Sequence, residues 1–133
     1  MLSNFASFQV DWRGRRWMTS EHAYQAAHFF ETAPELAEQI FEARSSHEAY
    51  KIAKANADKA PSNWDDIKID IMEEIVRAKC EQNPYVKQKL LETLDVEIVE
   101  DSPKDDFWGW GEDHNGRNEL GKIWMRLRDE LNK

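Results

Sequence analysis

The sequence has little of what builds disulfide-linked or membrane-spanning proteins. Its 133 residues include one cysteine, Cys80, with five glycines and four prolines. A lone cysteine excludes an internal disulfide framework and is typical of a reducing compartment. Apolar runs stay well short of the roughly 20 residues that cross a bilayer, and the first residues lack the pattern of a signal peptide. We therefore expect a soluble, cytoplasmic protein with no membrane partner.

Positive charge is outnumbered by negative charge. The chain carries 18 lysines and arginines against 26 aspartates and glutamates, a formal net charge of −8. Such an excess repels a polyanion, which disfavours nucleic acid as a general partner. A small anionic ligand stays compatible, because a few well-placed cations act locally. The sequence does not indicate an oligomeric state.

Hydrophobic periodicity predicts one compact domain over residues 1–133, mainly α-helical with minor short β-strands. A strand and a turn at Arg13-Gly14 come first. Helices are predicted over about 20–30, 34–43, 47–59, 64–82 and 84–94, a brief strand over 96–99, a long ordered loop over 101–117, and a final helix after Asn118. Cap signals at Thr19 or Ser20, Ser45, Asn63 and Asn118 set the helix starts.

The first helix carries polar residues along one face. At 100° per residue, Glu21, Tyr24, Gln25 and His28 share a side, opposite an apolar side that includes Phe29. A solvated face, with Glu21 complementing the helix dipole, is one interpretation. A row of site residues is the other.

The longest predicted helix places lysines beside an apolar stripe. Trp64, Lys68 and Lys79 lie on one face with isoleucines. One interpretation is that the lysine stems run along apolar surface with their ammonium groups in water. In the other, Lys68 and Lys79 line a pocket and face a phosphate or a buried carboxylate.

The late loop combines an acid, indoles and glycines. Asp105 precedes Trp108, and Gly109 permits close approach of backbone to a ligand. The helix after Asn118 offers backbone N–H groups that could receive an anion. The histidines His22 and His28 lack the spacing of a helical metal site. We therefore expect no metal and no cofactor.

These ordered motifs give the chain a family resemblance. It resembles the NADAR superfamily of YbiA-like N-glycosidases over nearly its whole length. The shared residues are Leu2-Ser3-Asn4-Phe5, Thr19 to Ala26, Trp64-Asp65, Lys68, Met72, Lys79, Gln82-Asn83, Leu91, Thr93, Ser102-Pro103, Asp105, Trp108-Gly109, Gly111, Gly116, Asn118, Leu120-Gly121, Met125 and Arg128.

The resemblance implies a mostly helical, metal-free hydrolase of N-glycosidic bonds. Its substrates would be phosphoribosylamino-pyrimidine intermediates of riboflavin synthesis or, in other members, ADP-ribose on guanine, the one setting in which nucleic acid is expected. By matching motifs, Glu21 corresponds to the catalytic carboxylate, and Trp64, Asp105 and Trp108 to further active-site positions. His28 departs from the family, which often has lysine there, and Ser62-Asn63 stands where an arginine is common.

A mechanism assigns roles to these residues. Cleavage builds positive charge at the anomeric carbon, so we expect Glu21 to stabilise it and Asp105 to assist the departing heterocycle. Trp108 and Trp64 would stack on the heterocycle. Lys68 and Lys79, with amides near Asn118, would hold the phosphate. Tyr24, Gln25 and Gly109 complete the predicted substrate-binding set. All of this requires Glu21 and Asp105 to face one cavity.

Three other functions stay open at the sequence level. The chain could remove ADP-ribose from a modified base or nucleotide. It could bind ADP-ribose or NAD without cleaving it, although Glu21 and Asp105 speak against that. It could also be a helical structural or partner-binding protein.

Overall fold

A computed structural model describes residues 8–100 and 105–132 of the chain. Contacts within the chain divide these residues into two compact units, 8–83 and 84–132 with its gap at 101–104. The described residues form six α-helices, one 3-10 turn and one two-stranded sheet, which confirms the prediction of a mainly helical chain with minor strands. The family motifs at Leu2 to Phe5 and at Ser102-Pro103 lie outside the described residues.

A β-hairpin opens the described part of the first unit. Strands β1 (Val10–Trp12) and β2 (Arg15–Trp17) are antiparallel, with Val10 opposite Trp17. Arg13 and Gly14 both have positive φ, as a two-residue hairpin turn requires. The turn predicted at these two residues is confirmed. The second strand was not predicted.

Four helices follow in the first unit. They are α1 (Ser20–Ala27), α2 (Pro34–Phe41), α3 (Ser46–Ala55) and α4 (Trp64–Gln82). Thr19 and Ser45 cap α1 and α3 as predicted, each accepting a backbone N–H three residues ahead. The predicted third helix ends early, because the side chain of Asn56 donates to the carbonyl of Ile52 at 2.9 Å and competes with the helical ladder. A 3-10 turn (Ala57–Lys59) follows instead.

Strand β1 is fastened to α4 by side chains. The amide of Gln82 exchanges two hydrogen bonds with the backbone of Asp11, at 2.6 and 2.7 Å. The indole of Trp12 donates to Glu74 at 2.7 Å. These bonds satisfy the open edge of the hairpin without a third strand. Helix α1 packs against α2, α3 and α4, and so lies at the centre of this unit.

The second unit contains helices α5 (Pro84–Glu92) and α6 (Glu119–Leu131), which contact each other. The strand predicted over 96–99 is wrong, since this segment has no ladder partner among the described residues. Side chains hold it instead. Arg128 donates to Thr93 Oγ1 at 2.8 Å and to the carbonyl of Val96 at 2.7 Å, and the amide group of Asn118 bonds on either side of Val99.

In the described part of the chain, every helix is too short or too polar to cross a membrane.

Candidate active site

The polar face of α1 is buried. All eight residues of this helix are buried, and Glu21 and Gln25 retain only 5% and 8% of their surface. Burying a carboxylate is costly unless hydrogen bonds or charges compensate it. The solvated-face interpretation of this helix is therefore wrong, and the buried row needs a structural or chemical reason.

Glu21 is held by a neighbour one helical turn away. Gln25 Nε2 donates to Glu21 Oε2 at 2.8 Å, an i, i+4 pair on one face. Because Gln25 is itself buried, its amide fixes the orientation of the carboxylate. Glu21 also lies in the first turn of α1, where the helix dipole favours negative charge. The glutamate thus occupies a fixed, low-dielectric position.

His22 anchors the same helix from its other side. Its Nε2 donates to the carbonyl of Ala43 at 3.0 Å, and its Nδ1 lies 2.7 Å from the Thr19 hydroxyl, which must then donate. Burial lowers the pKa of His22, which keeps the ring neutral in this network. His22 thus links α1 to Ala43 and Thr19, and so holds in place the helix that carries Glu21.

Three rings meet at the C-terminal end of α1. The His28 ring lies 3.9 Å from that of Trp64 between centroids, tilted by 31°. Tyr24 contacts both, edge-on to His28 at 5.2 Å and tilted against Trp64 at 5.6 Å. Tyr24 therefore joins the helix that carries Glu21 and Gln25 to the predicted site residue Trp64, which comes from a distant segment. Trp64 is 9% exposed, and His28 lies against its ring.

His28 is a neutral base of fixed tautomer. Backbone carbonyls of Tyr24 and Gln25 lie 3.2 and 3.0 Å from Nδ1, so this nitrogen carries the proton. Burial lowers the pKa of His28 to about 4, and the positive charge of Lys68 acts in the same direction. At neutral pH the position therefore carries no charge. Sequence reasoning noted the departure from lysine here but could not supply the tautomer or the charge.

The two lysines differ. Lys68 Nζ pairs with Asp65 at 3.0 Å, and its side chain is 18% exposed. Lys79 is fully buried, with Nζ 5.8 Å from the ring centroid of Phe8, so the interpretation of an ammonium in water is wrong for this residue. Eleven residues of helix place their Cα atoms about 16 Å apart. A single phosphate cannot be held equally by both without the side chains turning toward each other.

The late loop, in the second unit, has its own hydrogen-bond network. Asp105 Oδ1 accepts from the backbone N–H groups of Phe107 and Trp108 at 2.9 and 2.8 Å, which fixes the start of the loop. Trp108 is half-buried and lies edge-on to Phe107 at 4.8 Å. The structure therefore gives Asp105 an architectural task, with one carboxylate oxygen engaged.

Three amides at the start of α6 are already hydrogen-bonded. The N–H groups of Asn118, Glu119 and Leu120 donate to loop carbonyls of Gly109, Phe107 and Trp108 at 2.8, 2.9 and 3.1 Å. The predicted anion site at these amides is wrong, because the loop caps them. Asn118 is also not a side-chain cap: it has φ 51° and binds residues 98 and 100 instead. The buried Gly109 serves the network through its carbonyl.

A depression of about 370 Å³ lies beside the hairpin in the first unit. Its two arginines, Arg13 and Arg15, are paired with Glu74 and Glu38. None of the predicted site residues lines it. In the ranges 8–100 and 105–132, no three His, Cys, Asp or Glu side chains are grouped to hold a metal ion.

Comparison with known families agrees with this architecture. The model of the NADAR domain matches residues 1–132. The chain belongs to the NADAR family. The resemblance noted from the motifs is thereby confirmed.

Relatives within the NADAR family span nearly this whole chain. A riboflavin biosynthesis protein of Vibrio vulnificus is 39% identical over 98% of the chain, which spans only 35% of that longer protein. The N-glycosidase YbiA of Escherichia coli is 33% identical over 98% of this chain and 80% of its own length. An N-glycosidase of Nostoc punctiforme is 34% identical, with 98% and 84% covered. The prediction of an N-glycosidase-type enzyme is confirmed by these relatives.

A solved structure in the family has the same fold. The NMR structure of Escherichia coli YbiA superposes with a TM-score of 0.88 at 33% identity, covering 98% of this chain and 77% of that one. The mainly helical fold expected from the sequence is thus also the fold of a NADAR relative.

Proposed function

We propose that this chain hydrolyses the N-glycosidic bond between a nitrogen heterocycle and a phosphorylated ribose, with phosphoribosylamino-pyrimidine intermediates of riboflavin synthesis as its substrates. The observation that carries the proposal is the buried Glu21 carboxylate, oriented by Gln25 next to a cluster of aromatic rings. The substrate class is supported by the name of the Vibrio vulnificus relative.

Glu21 serves the sugar side of the reaction. As the bond between the anomeric carbon and nitrogen breaks, its electron pair goes to the heterocycle and the sugar becomes oxocarbenium-like. A fixed carboxylate in a water-poor site stabilises that charge strongly. Glu21 also accepts a proton from the water that attacks the anomeric carbon. The products are the free heterocycle and ribose 5-phosphate.

The remaining predicted residues serve the two ends of the substrate. The departing nitrogen needs a proton, and Asp105 stays our candidate for this step, through the oxygen that does not cap the loop. Stacking on Trp108, the more exposed of the two candidate indoles, is worth roughly 1–3 kcal/mol. Because His28 lies against the ring of Trp64, this indole offers the substrate its edge and not its face. A lysine of α4 holds the phosphate.

A turnover assay tests the proposal. The chain is incubated separately with a phosphoribosylamino-pyrimidine, with ADP-ribosylated guanosine and with ADP-ribose, and the released base and sugar phosphate are separated by chromatography. We expect the first substrate to be cleaved with the highest kcat/KM. Faster cleavage of ADP-ribosylated guanosine would replace the proposed substrate class. Binding of all three without release of a base would make the chain a binding module.

A further inference from the structure

The acceptor nitrogen of His28 is an unused group beside the proposed site. Nδ1 donates to backbone carbonyls, which leaves Nε2 with a lone pair and no proton. Within residues 8–100 and 105–132, Nε2 makes no hydrogen bond to protein. Every fully buried side-chain nitrogen or oxygen of those residues does have a partner. Nε2 therefore reaches accessible space.

Contacts on several sides hold the His28 ring in place. Trp64 lies 3.9 Å from it and Tyr24 meets it edge-on at 5.2 Å, while two carbonyls hold its other nitrogen. A half-buried ring with this many contacts loses little freedom when a ligand binds, which favours affinity and selectivity. Because the ring stays neutral, Nε2 repels an anionic oxygen and accepts from an N–H or O–H group.

Lys68 supplies the complementary donor. It lies one turn after Trp64 on the same face of α4, and its charge acts on His28. An ammonium carries three N–H donors, the kind of group from which a ligand carbonyl accepts. The pKa of His28 responds to the charge of Lys68, so both groups act on the same region, and together a donor and an acceptor match a ligand edge that carries C=O next to N–H.

We propose that His28 and Lys68 read the lactam edge of the substrate heterocycle, with His28 Nε2 accepting from the ring N–H and Lys68 Nζ donating to the adjacent carbonyl. The proposal rests on the proposed function and narrows its substrate class to heterocycles with a lactam. Seven helical residues separate His28 from Glu21 by about 10 Å along α1, so they hold opposite ends of a nucleoside-sized ligand. Lys68 then belongs to the heterocycle end of the ligand.

Binding of free heterocycles tests the proposal without requiring turnover. Calorimetry compares 5,6-diaminouracil with its 1,3-dimethyl derivative, and guanosine with 1-methylguanosine, because both pyrimidinediones and guanine carry a lactam. The wild-type chain should bind the better-fitting parent about tenfold more tightly than its methylated form, the scale for one hydrogen bond plus an unpaired group. The parent that binds identifies the heterocycle class.

Variants separate recognition from packing. His28→Phe keeps a ring against Trp64 but has no acceptor and should lose the tenfold preference. His28→Gln places an amide oxygen near the position of Nε2 and should retain it. Lys68→Met should weaken binding of 5,6-diaminouracil but not of ribose 5-phosphate. Circular dichroism checks that each variant is folded, and ¹⁵N NMR of the wild-type imidazole should show a shift of Nε2 on binding.

Specific outcomes overturn the proposal. Equal methyl discrimination in wild type and His28→Phe shows that the ring only packs. Loss of ribose 5-phosphate binding in Lys68→Met places that lysine at the phosphate. If neither parent heterocycle binds, His28 and Lys68 do not recognise a lactam. Failure of the proposed function has a different signature: discrimination at His28 is intact, yet no glycosidic bond is cleaved.

Discussion

Helix α1 and the late loop represent two ways of presenting chemical groups. On α1, Glu21 and Gln25 are hydrogen-bonded to each other across one turn, while the helical ladder and the Thr19 hydroxyl satisfy backbone groups. In the described part of the loop there is no helical ladder, and although some backbone groups bond to one another, others need different partners. Side chains such as Asp105 and Asn118, and the amides that open α6, are used to satisfy them.

The difference teaches where residue type is a good guide to role. A carboxylate on a buried helix face is costly to desolvate, which makes its position a candidate for function. A carboxylate at the start of a loop has an obvious structural use, because it caps nearby N–H groups. Glu21 is therefore the stronger catalytic candidate, and Asp105 requires an experiment that separates its two tasks.

The largest effect is expected at Glu21. Glu21→Gln preserves the shape and the contact with Gln25 but removes the negative charge that stabilises the developing cation. We expect kcat to fall on the order of 10²-fold or more, while ribose 5-phosphate still binds. Stopped assays on the pyrimidine substrate measure the first quantity, and calorimetry the second.

A matched control removes the same charge elsewhere. Glu31 lies a few residues after α1 and is exposed. Glu31→Gln should leave kcat and KM unchanged. If Glu21→Gln turns over at the wild-type rate, the first helix is not the catalytic element and its buried polar face must have another explanation.

Substitutions at two glycines test how firmly the hydrogen-bond network of the late loop is held. A Cβ on Gly121 would overlap the carbonyl of Ile98 and the side chain of Asn118, so Gly121→Ala must displace the network that holds the loop. We expect a loss of about 2 kcal/mol in the free energy of unfolding, as for other overpacked sites. Urea titration followed by circular dichroism measures it.

Gly14 serves as the control for that substitution. It lies in open space with φ +81°, so Gly14→Ala meets no atom and costs only backbone strain, about 1 kcal/mol. A Gly121→Ala variant no less stable than Gly14→Ala would mean that the loop network yields easily and contributes little.

Local signals in the sequence were good guides to helix starts and to the hairpin turn. The caps at Thr19 and Ser45 and the turn at Arg13-Gly14 depend on neighbouring residues alone, which is why they were predictable. The segment 96–99 has the composition of a strand, but a strand needs a partner, and sequence does not reveal that Asn118 and Arg128 take that place. Contacts with residues distant in sequence therefore decided the conformation of this segment.

The candidate site shows the same division. Helical periodicity placed Glu21, Tyr24 and Gln25 on one face, and that face is real. It could not distinguish a solvated row from a buried one, because burial depends on α2, α3 and α4 closing over α1. Nor could it show that loop carbonyls would accept hydrogen bonds from the amides at the start of α6.

Acid should destabilise the region around His28. Its pKa is about 4 in the folded chain and near 6.5 when unfolded, so the unfolded state binds the extra proton between these values. The stabilisation is complete above pH 6.5 and is lost as the pH falls toward 4. Allowing for partial exposure of the ring, we expect about 1.7 kcal/mol, half of the full linkage value at ~1.4 kcal/mol per pKa unit.

Urea titrations at several pH values measure the slope of the unfolding free energy against pH. His28→Gln, which cannot titrate, should flatten it relative to wild type, whereas the exposed His47→Gln should not. The contribution of the buried His22 is the same in all three proteins and cancels in the comparison. Identical slopes in wild type and His28→Gln would contradict a neutral, desolvated His28.

The smallest expected effect decides whether the loop takes part in chemistry. Asn at position 105 can still accept from the N–H groups of Phe107 and Trp108, but it cannot supply a proton. If Asp105 assists the departing heterocycle, Asp105→Asn should lower kcat about tenfold with the loop intact. Asp105→Ala removes both functions, and should lower stability as well as kcat. Wild-type turnover in Asp105→Asn, together with destabilised Asp105→Ala, would leave this aspartate only its architectural task and assign proton delivery to solvent.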